Sequence, residues 1–257
     1  MITIGIGCDI NADTVIDSIN KCSDDPLQIN CYCKSETLTT TVSNPNVKFV
    51  ISPNPHHNLV DDLFSNKIDG AVRGTLPANE TLSYLKKIFE IDKLERVALL
   101  ETIDHIKFFL APVGVDEGWT VNEKISLINN CKLFVNRFSN ISHKIAILSG
   151  GRLGDIGRHP IIDKSILDAE KISKKTGIIH SEILIENAIK SCGVIIAPDG
   201  ISGNLIFRTL VSLGHGIGHG APIVNIPKIF VDTSRDFGKY ETAIHLAHNL
   251  LVHTKNV

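Results

Sequence analysis

The strongest constraint on this chain is a recurring pairing. Short apolar, β-rich runs stop abruptly in small polar residues and are followed by segments long enough for a helix. Lys144-Ile145-Ala146-Ile147-Leu148 ends in Ser149-Gly150-Gly151, and Val194-Ile195-Ile196-Ala197 ends in Pro198-Asp199-Gly200. Ile2 to Ile6, Val47 to Ile51, Val97 to Leu100 and Phe108 to Leu110 read as further strands, with strand-like stretches at 222–226 and 229–231. Helical spacing covers Ala12–Lys21, Leu82–Ile91, Asn122–Phe138, Asp163–Lys175, Ser181–Cys192, Asn204–Leu213 and Glu241–His253. Strands separated by helix-length segments predict α/β architecture with mostly parallel sheets. Such sheets bind ligands beyond the carboxyl ends of their strands, where helix N-termini offer free N–H groups. The loops at 149–151 and 198–204 are therefore the first places to expect an anion. The polar stretch Asn136 to Lys144 reads as an inter-domain hinge.

Composition narrows the function. The 257 residues are 43% hydrophobic and 21% charged, enough for a sizeable core and against global disorder. Aromatics make up only 5%, so that core is aliphatic. Lys plus Arg number 26 against 28 Asp plus Glu, a balance without the basic footprint of a nucleic-acid or anionic-membrane partner. Apolar runs fall far short of a membrane span, and Met1 to Gly5 has the features of no leader peptide, so a cytoplasmic protein is expected. The six cysteines, at 8, 22, 31, 33, 131 and 192, include one Cys-x-Cys pair and are expected to be reduced thiols.

Several constellations bear on chemistry. Gly214 to Gly220 is glycine-dense, but it has neither the dinucleotide spacing nor the Gly-Lys-Ser/Thr of a phosphate loop. It serves either close backbone approach to a ligand or a mobile connection. His215 with His219, and His245 with His248, are spaced for a metal, yet no Asp or Glu stands at ligand spacing beside either pair. No metal site and no bound cofactor are expected. His245, His248 and His253 are expected to line a helix C-terminus. Asp232-Thr233-Ser234-Arg235-Asp236 suits either phosphate binding, with Arg as a planar fork of donors, or plain helix capping.

Read together, these segments resemble the phosphate acetyl- and butyryltransferase superfamily. Asp69-Gly70-Ala71-Val72-Arg73-Gly74 looks like its D-G-x-V-x-G, and Ala146-Ile147-Leu148-Ser149 looks like its A-M-L-S. Pro198-Asp199-Gly200-Ile201-Ser202-Gly203-Asn204 matches P-D-x-x-x-G-N. The glycines near Gly218 are similar to its A-x-x-G-P-I-x-x-G loop, and Ser234-Arg235 falls where its C-terminal L-S-R does. Within the superfamily the chain is most similar to MtxX, a methanogen family described as a methyltransferase subunit.

The resemblance implies two α/β domains, residues 1–143 with 232–257 and residues 144–231, the second inserted in the first. It implies an interdomain cleft holding coenzyme A or acyl-CoA and phosphate, and a homodimer. Ser234 and Arg235 would bind the acyl phosphate, and Glu241, where relatives carry Asp, would take the thiol proton. Arg73, Ser149, Gly150, Asp199, Gly203, Asn204 and Gly218 would bind ligand; Arg152, expected to bind ligand as well, and Arg158 are extra cations that the family pattern does not require. One departure stands out: residues 75–84 lack the first-domain arginine of the family, so Arg73 would have to substitute from a different position. The expected activity is acyl transfer between an acyl-CoA and phosphate or a related phosphorylated ligand. The alternative is an accessory subunit of a methanogen methyltransferase that binds a phosphorylated ligand without transacylase activity. No cobalamin motif and no methyl-donor glycine loop support a stand-alone methyltransferase.

Overall fold

The computed structural model describes residues 1–23, 25–37, 42–234 and 239–254. In chain order the elements are β1 (Ile2–Gly7), α1 (Ala12–Lys21), β2 (Leu27–Cys33), β3 (Val47–Ile51), α2 (Pro55–Phe64), β4 (Gly70–Val72) and α3 (Ala78–Ile88). Then come β5 (Ala98–Glu101), β6 (Lys107–Ala111), α4 (Val121–Val135), β7 (Ile145–Ile147), α5 (Pro160–Thr176), β8 (Ile179–His180), α6 (Ile185–Ala188), β9 (Val194–Ile196) and α7 (Gly200–Arg208). The chain closes with β10 (Ile217–Gly218), β11 (Ala221–Pro222), β12 (Ile229–Asp232) and α8 (Glu241–Thr254).

Two compact units result. The first comprises Met1–Lys93 and His219–Val257, and the second, Leu94–Gly218, is inserted between its parts. The boundaries differ from the expected 143/144 and 231/232. The reason is strand pairing: β5 and β6 form an antiparallel pair, and β6 continues into the second unit's sheet alongside β9. Asn136 to Lys144, expected as a hinge, lies inside the second unit. Ile141 is buried there, and the Lys144 carbonyl accepts from the backbone N–H of Gly193 and of Val194.

In the first unit the sheet order is β11-β12-β4-β1-β2-β3, parallel except for β11 against β12. β1 sits among parallel neighbours, with Ile4 opposite Ile29 and Gly70. Ile4, Ile6, Ile29, Leu59, Val72, Phe230 and Ile244 are buried to within 0% exposure, the double-sided burial expected of a parallel sheet. α8 packs on β12, β4 and β1, and α2 packs on β1, β2 and β4. Three elements of this unit, β2, the short β4 and α2, were not expected. β2 alternates apolar and polar residues over Leu27 to Asn30, and α2 begins at Pro55, which occupies the first helical turn instead of ending a strand segment.

In the second unit the order is β10-β5-β6-β9-β7-β8, with β6, β9, β7 and β8 mutually parallel. Phe109, Phe134 and Phe138 meet edge-on or tilted with ring centroids 4.9–5.5 Å apart, and Ile128, Ile147, Ile166 and Ile195 are among the buried aliphatic residues of this unit. α4 starts at a Thr120–Glu123 capping box. α7 starts earlier than the expected Asn204 because Asp199 caps it, and a π-helical turn at Thr209–Leu213 continues it. The expected helix at 181–192 shrinks to Ile185–Ala188, since Ser181 and Glu182 are drawn alongside the end of β7 by Ser181 N–H to the Ile147 carbonyl and Ser149 N–H to the Glu182 carbonyl. The glycine-dense stretch contains a strand: Ile217 and Gly218 pair with Glu101 and Leu100. Among the described residues no helix is long and apolar enough to cross a membrane.

Candidate functional site

In the first unit the carboxyl ends of β1, β4 and β12 carry the loop residues that the sequence singled out. Arg73 follows β4 and is 3% exposed. Its Nε donates to Asp232 Oδ1 at 2.5 Å and its Nη1 to the Leu76 carbonyl at 2.6 Å. Asp232 Oδ1 also accepts from the Thr233 N–H at 2.9 Å, and the Thr233 hydroxyl donates to the Gly74 carbonyl at 2.9 Å. The Thr75 hydroxyl receives the Asp9 N–H, which ties in the end of β1. Gly74 has φ +60° and a Cβ there would lie 1.9 Å from the Gly7 carbonyl oxygen, so only glycine closes this turn. Arg73, expected to substitute for a missing ligand cation, is instead a buried strut between the ends of β4 and β12.

Ser234 is half-buried and its carbonyl accepts from the Tyr240 hydroxyl at 3.3 Å. Arg235, expected beside it on the acyl phosphate, lies outside the described residues, as does Asp236. Glu241 opens α8. Its Oε1 is 3.5 Å from Lys21 Nζ on α1, whereas its Oε2 is buried without a hydrogen-bond partner among the described residues. Burial pushes the carboxyl up, but backbone hydrogen bonding, Ser18 and Lys21 outweigh it and hold the group below its ordinary 4.5. A carboxylate kept ionised but turned into the α1–α8 contact differs from the open general base that the resemblance implies.

His245, expected at a helix C-terminus, sits in the second turn of α8. Its Nε2 is 2.8 Å from Asp25 Oδ2 and 3.7 Å from Cys22 Sγ. The His253 side chain lies outside the described residues. All six cysteines are free and buried.

In the second unit the loops after β6, β7 and β9 hold the other expected residues. Ser149 is fully buried. Its hydroxyl is 2.8 Å from the Gly151 carbonyl and 2.9 Å from His180 Nε2, and His180 Nδ1 is 2.6 Å from Glu170 Oε1. His180 holds Glu170 below the ordinary carboxyl value. The chain Glu170–His180–Ser149 has the order of a nucleophile relay, but the Ser149 hydroxyl is fully buried and donates to the Gly151 carbonyl within the Gly150–Gly151 turn. Gly150 N–H donates to Ser165 Oγ at 2.8 Å. Arg152 is exposed, with its backbone N–H on Asp155 Oδ2 at 2.8 Å, while Arg158 pairs with Asp155 Oδ1 at 3.0 Å. Both arginines of this loop are exposed to solvent, Arg158 while paired with Asp155.

The Pro198 to Asn204 segment is accounted for by packing. Asp199 accepts the Ser202 N–H at 2.8 Å as the α7 N-cap, and Asn204 Nδ2 donates to the Val113 carbonyl at 3.0 Å. A Cβ on Gly200 would lie 1.7 Å from the Gly114 oxygen and one on Gly203 1.9 Å from the Pro112 oxygen. Gly200, Gly203 and Asn204 therefore press α7 onto the loop after β6, while Asp199 caps the helix. Gly218 serves the β10–β5 pairing.

Sequence reasoning missed the buried polar support of this loop. Glu117, 4% exposed, meets Arg96 Nε at 2.5 Å, and burial raises its carboxyl pKa against the pull of Arg96. Lys124, 6% exposed, donates Nζ to the Pro198 carbonyl at 2.8 Å, and burial lowers its ammonium pKa. His180 and Glu170 were missed too. The helical period of α4 places Lys124 on its buried face with Leu127, Ile128 and Cys131, and that is the one available signal.

No protein-family profile matches the chain. It is 44% identical over 209 residues to "Putative methyltransferase mtx subunit X" of Methanosarcina barkeri, covering 79% of this chain and 77% of that one. Among solved structures it is similar to a branched-chain phosphotransacylase from Enterococcus faecalis, with TM-score 0.76 and 19% identity over 98% of this chain and 100% of the other. A phosphotransacetylase from Streptococcus pyogenes matches with TM-score 0.70 and 15% identity, over 99% and 94% of the two chains. At these identities the likeness establishes the fold.

Proposed function

The chain belongs to the mtx subunit X family, and on that premise we propose that it is phosphotransacylase-like, moving an acyl group between an acyl-CoA thioester and phosphate or a related phosphorylated ligand. The observation that carries the reading is the phosphotransacylase fold along 98% of the chain, with an exposed Arg152 on the Gly150–Gly151 turn beyond β7. In the acyl-phosphate direction the thiol sulfur bonds to the acyl carbon and the carbon–oxygen bond to phosphate breaks. The thiol proton ends on the departing phosphate, so the step balances without a redox partner. Arg235, with Ser234 beside it, is assigned the charge that develops on that phosphate, the role in which a planar fork of donors is most effective. Coenzyme A is substrate here and not a resident cofactor. The same reading makes the protein a cytoplasmic homodimer.

A second reading is favoured by one feature of the site: Arg73 is buried, with its Nε on Asp232 and its Nη1 on the Leu76 carbonyl. In that reading the protein is a methyltransferase subunit, as its relatives are named, which holds a phosphorylated ligand without transferring an acyl group.

Arsenolysis separates the two. Short-chain acyl-CoAs and arsenate are supplied to the purified protein and free thiol is followed. Thiol release by the wild type, abolished in Arg235→Ala, is expected for the transacylase. Absence of release from the wild type across the acyl series, together with co-purification of a methyltransferase chain from native cells, overturns it in favour of the subunit.

A further inference from the structure

α1 and α8 bring together three side chains that the acyl-transfer reading does not use. Cys22 caps the C-terminus of α1, Asp25 stands in the turn before β2, and His245 comes from α8, 220 residues further on. Their ligand atoms, a thiol sulfur, a carboxylate oxygen and an imidazole nitrogen, all lie within 4.8 Å of one another. The histidine spacing alone suggested no metal because neither neighbour of His245 on its own helix completes a ligand set. Tertiary structure supplies the missing ligands from the other end of the chain.

The donor set selects the ion. Sulfur and nitrogen beside one carboxylate suit a borderline-soft divalent cation, whereas magnesium and calcium prefer all-oxygen sites. With zinc bond lengths of about 2.0–2.1 Å to nitrogen and 2.3 Å to sulfur, the 3.7 Å Sγ–Nε2 separation subtends about 115°, close to tetrahedral. The 2.8 Å Nε2–Oδ2 separation is a hydrogen-bond distance, and moving the Asp25 carboxylate by about half an ångström opens it to the roughly 3.3 Å between two tetrahedral ligands. Cys22 is buried, while His245 and Asp25 have side chains 46% and 32% exposed, which leaves an entry path and room for water in a fourth position.

Charge at the site points the same way. A thiolate and a carboxylate balance one divalent ion. One turn before His245 on α8, Glu241 adds a further negative group whose Oε2 is buried with no hydrogen-bond partner among the described residues.

We propose that Cys22, Asp25 and His245 form a binding site for a zinc-class divalent cation that fastens the α1–β2 turn to α8. The site lies wholly within the first unit and stands whether or not the protein transfers acyl groups.

The test uses the full, untagged chain, stripped with a chelator and titrated with Co(II) and then Zn(II). The expected result is one equivalent of cobalt bound with a near-ultraviolet thiolate-to-metal band and the visible bands of a tetrahedral ion, displaced by zinc. Zinc raises the Tm of the wild type. Cys22→Ser removes the thiolate band, and His245→Ala weakens zinc binding by at least about tenfold and abolishes the Tm shift. His245 is half-exposed, so its replacement by Ala leaves a folded chain in which binding is measured even if Cys22→Ser fails to fold. Absence of saturable binding by the wild type, a cobalt spectrum without the thiolate band, or zinc affinity unchanged in His245→Ala overturns the proposal.

Discussion

Arg73 and Asp232 are 159 residues apart in sequence and 2.5 Å apart in space, Nε to Oδ1, with side chains 4% and 11% exposed. The pair joins the ends of β4 and β12, strands that lie side by side in the sheet although the second unit is inserted between them in the chain. A buried ion pair of this kind contributes little net stability when compared with a well-packed apolar pair, yet removing one partner strands the other charge.

Arg73→Ala is therefore expected to destabilise the first unit by about 3–5 kcal/mol, seen as a lower urea midpoint. The double change Arg73→Leu with Asp232→Leu is expected to recover much of that loss. A full-stability Arg73→Ala protein that loses only phosphate or CoA binding would return Arg73 to the ligand.

Gly203→Ala tests the packing account of the Pro198 to Asn204 segment. Its new methyl would collide with the Pro112 carbonyl oxygen, a backbone atom that cannot swing aside. A loss of about 1–3 kcal/mol or more is expected in thermal unfolding, independent of any ligand. Stability within experimental error of the wild type would mean that α7 is not pressed on the loop after β6.

Glu241→Gln separates a base from a packing carboxylate. On the geometry observed here thiol release in arsenolysis is expected to fall by less than about tenfold, where loss of a general base costs about 10²-fold or more. The pH dependence follows from sign: a carboxyl held below 4.5 in the folded state contributes stability that is fully present above 4.5 and is lost as pH falls through its lower folded value. Acid unfolding of Glu241→Gln is expected to be correspondingly shallower over that window.

Ser149→Ala removes the hydroxyl shared by Gly151 and His180. A loss of about 1–3 kcal/mol is expected from the unsatisfied buried partners. His180→Gln is expected to retain part of that stability, because its amide can still donate to the hydroxyl, whereas a relay would lose its function with either change.

Much of the architecture is written locally. α1 at Ala12–Lys21 and β3 at Val47–Ile51 follow directly from period and from the Pro-rich stop after Ile51, because amphipathic spacing and turn residues act over a few neighbours. α2 was hidden by its own first residue, since Pro55 reads equally as a terminator and as a helix start. The insertion boundary was misplaced because β5 and β6 look like any other strands until their pairing partner β9 is known.

The candidate site divides along the same line. Motif order in the sequence was enough to point to the phosphotransacylase fold and to the segments at 69–74, 149–151 and 198–204, since those depend on residue type and spacing. What each side chain does was decided by tertiary structure alone. Arg73 faces Asp232, Asp199 and Asn204 hold α7, Glu241 turns to Lys21, and His245 meets Cys22 and Asp25. A charged or ligating group acts on whatever lies within a few ångströms of it, and for most of these residues that neighbour comes from a distant part of the chain.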